Sequence, residues 1–240
     1  MQECVEVIER MPEKNDPPKM VKSIYARDPS FTVKGGVIIG RMYDALRRGE
    51  ELPTFQTYAA IGCPVLHTIQ GRGTMEGGSV TWIDPKHLAV GITYRGNEEG
   101  ARQVKEVIAT IDPTIDVRFV RFDHPSGHID VPLTMVNLRT AIVDKRVLPK
   151  DFVTYLEKEV KIEIIEKPLD TYVEGTLVLE PGKVMFDMGP QEEKKKGYKL
   201  LKDLGLEVLP VELNTLTYPR NSGTLHCLTM PLIRDTEPLV

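Results

Sequence analysis

The order in which strand-like and helix-like segments follow one another limits the fold of this chain more than any other feature. Each unit has an extended run, a turn, a second extended run, an amphipathic helix and a closing strand. Four such units follow one another with a period of about 40–45 residues. Repetition of a ββαβ unit at this period predicts an α/β ring or array.

Turn residues and helical spacing set the bounds of the predicted elements. Runs rich in β-branched residues end at Gly, Pro or Asp, which is typical of strands. In the helix predicted over Glu98–Ile111, Ala101, Val104 and Ile108 fall on one face, and Asn97 is a suitable N-cap. The units are predicted as Thr32–Gly40, a helix over Arg41–Glu50 and beyond, and Pro64–Gln70; Ser79–Ile83, His87–Tyr94, Glu98–Ile111 and Asp116–Phe122; Leu133–Leu138, Thr140–Asp144, Pro149–Val160 and Ile162–Glu166; and Gly175–Leu179, Lys183–Met188, Gln191–Leu204 and Glu207–Glu212.

Charge and hydropathy argue against several classes of protein. A net charge of −4 provides no basic field for a phosphate backbone, so we expect no nucleic-acid partner. No run reaches the roughly 18 apolar residues that a membrane helix needs, and residues 1–22 lack the apolar core of a signal peptide. We therefore expect a cytoplasmic protein without membrane contact. The length of 240 residues suits one large domain or two small ones, and we predict a single domain over residues 1–240.

The cysteines and histidines form no metal or redox pattern. Cys4, Cys63 and Cys227 are too few and too far apart for a disulfide framework or a Cys-x-x-Cys pair. His124 and His128 are four residues apart, but a proline and a glycine between them argue against a helix that would carry both. We therefore predict no metal ion and no organic cofactor.

Two segments near the ends of predicted strands carry groups that can react. Cys227 lies where a small-residue loop meets an apolar run predicted as a strand, a setting that exposes a side chain on a rigid support. A lone cysteine is nevertheless more often a buried apolar residue than a nucleophile. His128 and Asp130 are two residues apart, so in a strand both would face one side. His128 could then carry protons at neutral pH, or be a histidine satisfied by local hydrogen bonds.

Three further turns carry charged groups. Asp28 lies in an Arg-Asp-Pro turn, Glu76 precedes two glycines, and Arg95 closes a strand. Each is alone typical of an ordinary turn or a solvated side chain. Together the five segments supply a nucleophile, a proton carrier, three carboxylates and spare arginines. This is the minimum set for attack on a guanidinium, because forked carboxylates accept its parallel N–H donors.

The motifs, in this order, resemble the guanidine-modifying enzymes of the pentein superfamily: arginine deiminases, dimethylarginine dimethylaminohydrolases and amidinotransferases. The resemblance runs from Ala26 to Arg234. Arg27-Asp28-Pro29-Ser30 is similar to the family's Arg-Asp segment, and Glu76-Gly77-Gly78 is similar to its Glu-Gly-Gly-Asp motif. His128-Ile129-Asp130 is similar to its His-x-Asp motif, and the stretch from Gly223 to Arg234 is similar to its nucleophile segment.

The resemblance implies a role for each of these residues. Cys227 would attack the guanidinium carbon, and His128 would carry protons with Glu76 facing the substrate. By spacing, two arginines fall where arginine deiminases hold the substrate carboxylate. The implied catalytic residues are thus Cys227, His128 and Glu76, and the implied substrate-binding residues are Asp28, Asp130, Arg47 and Arg95.

The implied fold is a five-bladed α/β propeller, which agrees with the repeated units. Two features depart from the family pattern. Ser79 stands where the family usually has an aspartate after the two glycines, which changes the local contacts. Only about 25 residues precede the Arg-Asp segment, fewer than is usual in the family, so we expect one blade to be incomplete at the N-terminus.

The implied function is that of an arginine deiminase-like hydrolase acting on arginine or an arginine derivative through a covalent amidino intermediate on the cysteine. An amidinotransferase and a dimethylarginine dimethylaminohydrolase are the alternatives within the family. A non-catalytic pentein, such as the translation initiation factor that binds a ribosomal subunit, is the alternative of another class. The presence of Cys227, His128 and three carboxylates argues against that last reading. The implied partner is a small guanidine compound, and a homo-oligomer is left open.

Overall fold

The computed structural model describes residues 22–189, 191–213 and 223–232. Within them, four units of the same type follow one another. The units are β1 (Ser30–Val33), β2 (Gly36–Ile39), α1 (Glu51–Ala60) and β3 (Val65–Thr68); β4 (Val80–Asp84), β5 (His87–Ile92), α2 (Glu98–Ile111) and β6 (Asp116–Arg121); β7 (Leu133–Asn137), β8 (Thr140–Val143), α3 (Lys150–Lys158) and β9 (Glu163–Glu166); and β10 (Thr176–Glu180), β11 (Lys183–Asp187), α4 (Glu192–Asp203) and β12 (Glu207–Val211).

Every unit builds its own three-stranded sheet, with its strands in chain order. The first two strands form an antiparallel hairpin, as in the pairing of Ser30 with Ile39. The third strand runs parallel to the second, as in the pairing of His87 with Asp116. A parallel neighbour requires a crossover, and the helix of each unit provides it. The predicted mixed α/β architecture of repeated ββαβ units is therefore confirmed for the described residues.

The hydrophobic cores lie between consecutive units. One core joins Phe31 and Ile38 of the first unit to Leu88 of the second. The next joins Val120 to Leu156 of the third unit, and another joins Ile142 of the third unit to Phe186 of the fourth. Each unit is thus covered by its neighbour, as expected for a repeat whose single units cannot bury their own apolar face.

The predicted first helix was wrong in its start. It begins at Glu51, residues 45–50 form turns, and Arg41 pairs with Met75 in an isolated β-bridge. The Glu51 carboxylate accepts hydrogen bonds from the backbone N–H groups of Met42 (2.9 Å) and Gly49 (2.6 Å), which folds the preceding segment back onto the helix. Gly49 has a φ of 109°, outside the helical region. The other helices and strands agree with their predicted bounds to within a few residues.

Asn97 caps α2 as predicted and also fixes the segment before Glu76. Its side-chain oxygen accepts hydrogen bonds from Gly100 N at 2.9 Å and from Thr74 N at 3.0 Å. Asn97 therefore accepts a hydrogen bond from a free backbone N–H at the start of α2 and also anchors the neighbouring loop at Thr74. The loop in question carries one of the predicted catalytic carboxylates.

Candidate active site

Backbone hydrogen bonds join the loops that carry the predicted site residues. Arg27 N donates to Cys227 O at 3.0 Å, Gly77 N donates to Asp28 O at 2.7 Å, and Asp130 N donates to Gly78 O at 3.2 Å. The loops before β1, β4 and β7 and the turn around Cys227 therefore form one connected group. Arg27 also contacts Thr229 through its side chain, so residues as much as 202 positions apart in the chain meet here.

The two glycines after Glu76 are required by close packing. A Cβ atom on Gly77 would lie 1.9 Å from Arg27 O, and one on Gly78 would lie 2.5 Å from His128 Nδ1. Ordinary carbon contacts are far longer, so any side chain here would push the loops apart. The Glu-Gly-Gly sequence thus permits the contact between the first three units at the site.

His128 is buried among carboxylates. Its Nε2 lies 2.8 Å from Glu76 Oε2, and its Nδ1 lies 3.9 Å from Asp28 Oδ1. Burial alone would lower the pKa of His128, but Asp28, Glu76 and Asp130 outweigh it and raise the pKa above its ordinary value. The imidazole is therefore held in its protonated form near neutral pH, ready to give a proton.

Glu76 is completely buried and is held by three donors. Besides His128, it accepts hydrogen bonds from Tyr43 N at 3.0 Å and from Arg95 Nη1 at 2.9 Å. Burial raises the pKa of a carboxyl, yet His128, Arg95 and the Tyr43 amide together lower the pKa of Glu76 to about 2. Glu76 is therefore an anion at any pH at which the protein would work.

Asp28 and Glu50 are both ion-paired with the buried guanidinium of Arg47. Arg47 Nη1 donates to Asp28 Oδ2 at 2.5 Å, while Nε and Nη2 donate to the two oxygens of Glu50 at 3.0 and 2.7 Å. Nη2 also reaches Lys22 O at 3.3 Å. Arg47 is 2% exposed, so its guanidinium is engaged inside the protein and fixes one oxygen of Asp28.

Asp130 is buried, and within the described residues neither of its oxygens accepts a hydrogen bond of good geometry. His226 Nδ1 lies 3.1 Å from Asp130 Oδ2, which is ion-pair distance. Burial would raise the pKa of Asp130, but His226, His128 and Arg27 hold it below its ordinary value. Asp130 is therefore an anion with unused acceptor capacity.

Cys227 lies in a tight turn beside these carboxylates. Thr224 Oγ1 is 3.4 Å from its Sγ and 3.4 Å from its backbone N. Burial of the thiol, followed by the charges of Asp130 and Asp28, raises the pKa of Cys227 to about 12. The sulfur is consequently a thiol in the free protein, and it would need an added positive charge nearby to become a thiolate at neutral pH.

One local prediction about the site was wrong, and one conditional argument does not apply. The common facing that a strand would give His128 and Asp130 does not arise, because they lie in a loop and a turn, where Gly127 has a φ of 69° and Leu133 N donates back to Ile129 O at 3.0 Å. The residues after Cys227 that the structure describes form a turn and not a strand, since Leu228 N donates to Thr224 O at 3.2 Å. Arg234 lies outside the described residues.

Sequence reasoning missed three residues of this group. Arg27 binds His226 O and Thr229 Oγ1 through Nε and Nη2, at 3.2 and 3.3 Å, and so holds the turn of the cysteine. Glu50 had no sequence signal at all. Only adjacency to the cysteine pointed to His226, because its partner Asp130 is remote in the chain.

The ligand atoms of Asp28, Glu76 and His128 all lie within 4.8 Å of one another, a spacing that could hold a metal ion. Ion pairing between a protonated imidazole and two carboxylates accounts for the same spacing. The expectation of a metal-free site therefore stays a prediction.

Repeated ββαβ units that bring a thiol, an imidazole and several carboxylates into one buried group are the features of the pentein superfamily of guanidine-modifying enzymes. Within that class, the family model of arginine deiminase matches residues 15–167. The chain belongs to the arginine deiminase family.

Individual relatives are distant. An uncharacterized protein of Bacillus subtilis, YkgA, is 25% identical over 220 residues, which cover 89% of this chain and 70% of that protein. The arginine deiminase of Listeria monocytogenes is 23% identical over 256 residues, covering 88% of this chain and 61% of the enzyme, so the chain spans less than two thirds of that relative. The structure of DDAH from Pseudomonas aeruginosa, complexed with citrulline, superimposes with a TM-score of 0.72 at 21% identity, over 95% of this chain and 86% of that one.

Within the described residues, no helix is long and apolar enough to cross a membrane. The predictions of a cytoplasmic location and of a homo-oligomer stay predictions.

Proposed function

We propose that this chain is an arginine deiminase-like hydrolase that acts on the guanidine group of arginine or an arginine derivative through a covalent intermediate on Cys227. The proposal is carried by two buried aspartates with spare acceptor capacity. Asp28 Oδ1 and both oxygens of Asp130 lack a hydrogen bond of good geometry, and only the imidazoles of His128 (3.9 Å from Asp28 Oδ1) and His226 (3.1 Å from Asp130 Oδ2) lie at ion-pair distance. Buried charged oxygens without donors are costly. A guanidinium supplies planar N–H donors for these oxygens together with a further positive charge.

The two aspartates divide the work of binding. Arg47 holds Asp28 Oδ2, so Asp28 presents its remaining oxygen in a fixed direction. Asp130 offers a whole carboxylate, which suits a bidentate contact with the guanidinium. The substrate cation thereby sits where it completes the hydrogen bonding of both aspartates.

Arg95 is the better candidate of the two arginines for binding a substrate carboxylate. Its side chain is 18% exposed, against 3% for that of Arg47. Arg47 would have to give up its contacts with Asp28 and Glu50 before it could bind a substrate. We therefore keep Arg95 as a proposed substrate ligand and assign Arg47 the positioning of Asp28.

The first half-reaction uses the charge of the substrate. When the guanidinium arrives, the Cys227 proton is lost to solvent, because a neighbouring cation stabilises the thiolate. Sγ attacks the guanidinium carbon, forming a C–S bond and moving the π electrons of one C–N bond onto nitrogen. His128 gives its proton to the departing nitrogen as that C–N bond breaks, which leaves an amidino group on sulfur and releases ammonia.

The second half-reaction returns the enzyme to its starting state. Neutral His128 takes a proton from water while the water oxygen adds to the amidino carbon. The C–S bond then breaks, its electrons return to sulfur, and the hydroxyl proton returns to Cys227. The product carries a ureido group, and His128 is protonated again, while Glu76 keeps its imidazole in place during both half-reactions.

We also propose that the described units are four blades of a five-bladed propeller formed by a single domain over residues 1–240. The resemblance to DDAH supports the proposal, as does the position of the polar residues. Asp28, Glu76 and Asp130 each precede the first strand of their unit by two to four residues. The residues that would complete a fifth unit lie largely outside the described part of the chain.

The test is to incubate the full chain with L-arginine or N-methylated arginine and to assay ammonia, methylamine and the ureido product, with mass spectrometry of Cys227. We expect an amidino adduct on Cys227 and no turnover by Cys227→Ser. Cys63→Ser is the matched control, because Cys63 is a half-buried cysteine that packs against the apolar cluster of Val37, Ile39 and Tyr58. Equal turnover by Cys227→Ser would refute the proposal. Ornithine together with an amidinated acceptor amine would assign a transferase instead.

A further inference from the structure

The half-buried imidazole of His226 is a cation-forming group inside the site that the proposed chemistry does not use. Its Nδ1 lies 3.1 Å from Asp130 Oδ2, and its side chain is 25% exposed, against 7% for that of Asp130. Asp130 is the carboxylate with the most unused acceptor capacity in the site. The imidazole of His226 therefore contacts Asp130 Oδ2, an oxygen that a substrate guanidinium would need.

The backbone of His226 is fixed while its side chain has access to solvent. The carbonyl of His226 accepts hydrogen bonds from Arg27 Nε at 3.2 Å and from Thr229 Oγ1 at 3.1 Å. Arg27 N also holds the next carbonyl, that of Cys227, at 3.0 Å. A rotation of the His226 side chain would thus leave the nucleophile turn in place.

The other charged groups near this contact do not take its place. Arg27 is buried, and its Nε and Nη2 are bound to the nucleophile turn. His128 faces Glu76 and Asp28. Asp28 and the Cys227 thiol are the remaining titratable neighbours, and neither supplies a positive charge. Among the described groups, His226 is thus the ionisable base at ion-pair distance from Asp130, and its side chain is partly exposed.

We propose that His226 is the internal partner of Asp130 in the substrate-free protein and that a substrate guanidinium displaces it, so that His226 is a positioning residue that sets the affinity for cationic substrates. This inference rests on the proposed function. A protonated imidazole competes with the substrate for Asp130, whereas a neutral imidazole competes weakly. Substrate binding is therefore coupled to the charge of His226.

The experiment measures the dissociation constant of L-arginine by calorimetry between pH 5.5 and 8.5, using full chains that carry Cys227→Ser to prevent turnover. With His226 present, we expect affinity to weaken as the pH falls. With His226→Asn, affinity at pH 5.5 should improve roughly fivefold and change by less than about twofold at pH 8.5. His128 remains in both proteins, so its own titration contributes to both curves.

Two further variants separate charge from structure. His226→Lys keeps a positive charge over this pH range, and it should bind arginine weakly at every pH. His87→Asn removes a histidine that contacts Asp84 at 2.7 Å outside the site, and it should leave the pH dependence unchanged. Equal pH dependence with His226 and with His226→Asn would overturn the role of His226 and leave the proposed function standing. Failure of arginine to bind with His226 present, at any pH, would overturn the proposed function and this inference together.

Discussion

The imidazole of His128 shows how single residues set the chemistry of this site. Its raised pKa arises because three carboxylates outweigh the effect of burial. Folding therefore favours the protonated form, so its contribution to stability is complete below the ordinary pKa of about 6.5 and is lost as the pH rises through the folded-state value. Glu76 behaves in the opposite sense, since its contribution is present above the ordinary carboxyl pKa and is lost as the pH falls towards 2.

Replacing Glu76 by Gln should lower the pKa of His128, because the change removes the negative charge 2.8 Å from Nε2. The alkaline limb of the pH–activity profile should then shift to lower pH by at least about one unit, because His128 loses its proton at a lower pH. The measurement is kcat/KM against pH. Asp84→Asn, which removes the carboxylate next to His87, is the matched control and should not move the alkaline limb. If the alkaline limb of the profile did not move in Glu76→Gln, a group other than His128 would set that limb.

At the scale of elements, short turns rather than strands carry the reactive side chains. The Gly77–Ser79 turn leads from Glu76 into β4 and lies against both the Asp28 loop and His128. Sequence motifs predicted which turns matter. The spacing of His128 and Asp130 did not indicate their local structure, because a two-residue spacing does not distinguish a strand from a turn with a left-handed glycine.

Replacing Gly78 by Ala should reduce activity more than it reduces stability. The new methyl group would lie 2.5 Å from His128 Nδ1, so the imidazole would have to move away from Glu76 and Asp28. We expect kcat to fall by about a hundredfold, the scale of a misplacement of about 1 Å in an active site. The measurement compares kcat with the thermal midpoint.

Gly62→Ala provides the comparison for that substitution. Its Cβ would meet no atom within 4 Å, but its φ of 73° is unfavourable for alanine. It should lower stability by about 1 kcal/mol without lowering kcat. If both variants lost activity in proportion to stability, Gly78 would have no special relation to His128.

For the whole molecule, stability depends on cores that consecutive units share. Leu156 is fully buried in the core between the second and third units. Its replacement by Ala should lower the free energy of unfolding by about 2–5 kcal/mol, because the neighbouring units cannot close the cavity independently. Denaturant unfolding measures this change. Leu138→Ala, at a position that is 49% exposed, should change it by less than about 0.5 kcal/mol. Similar losses in both variants would contradict a shared core.

The sequence by itself determined the repeated units, the family and the motifs that supply most of the candidate site, because periodicity and turn chemistry are local properties of the chain. Only the tertiary structure decided which charges meet. Glu76 and His128 are 52 positions apart, and Arg27 and His226 are 199 apart. Arg47 was predicted to bind substrate, yet it is buried against Asp28 and Glu50. The pairing of a buried charge depends on which loops pack together, and no local pattern encodes that packing.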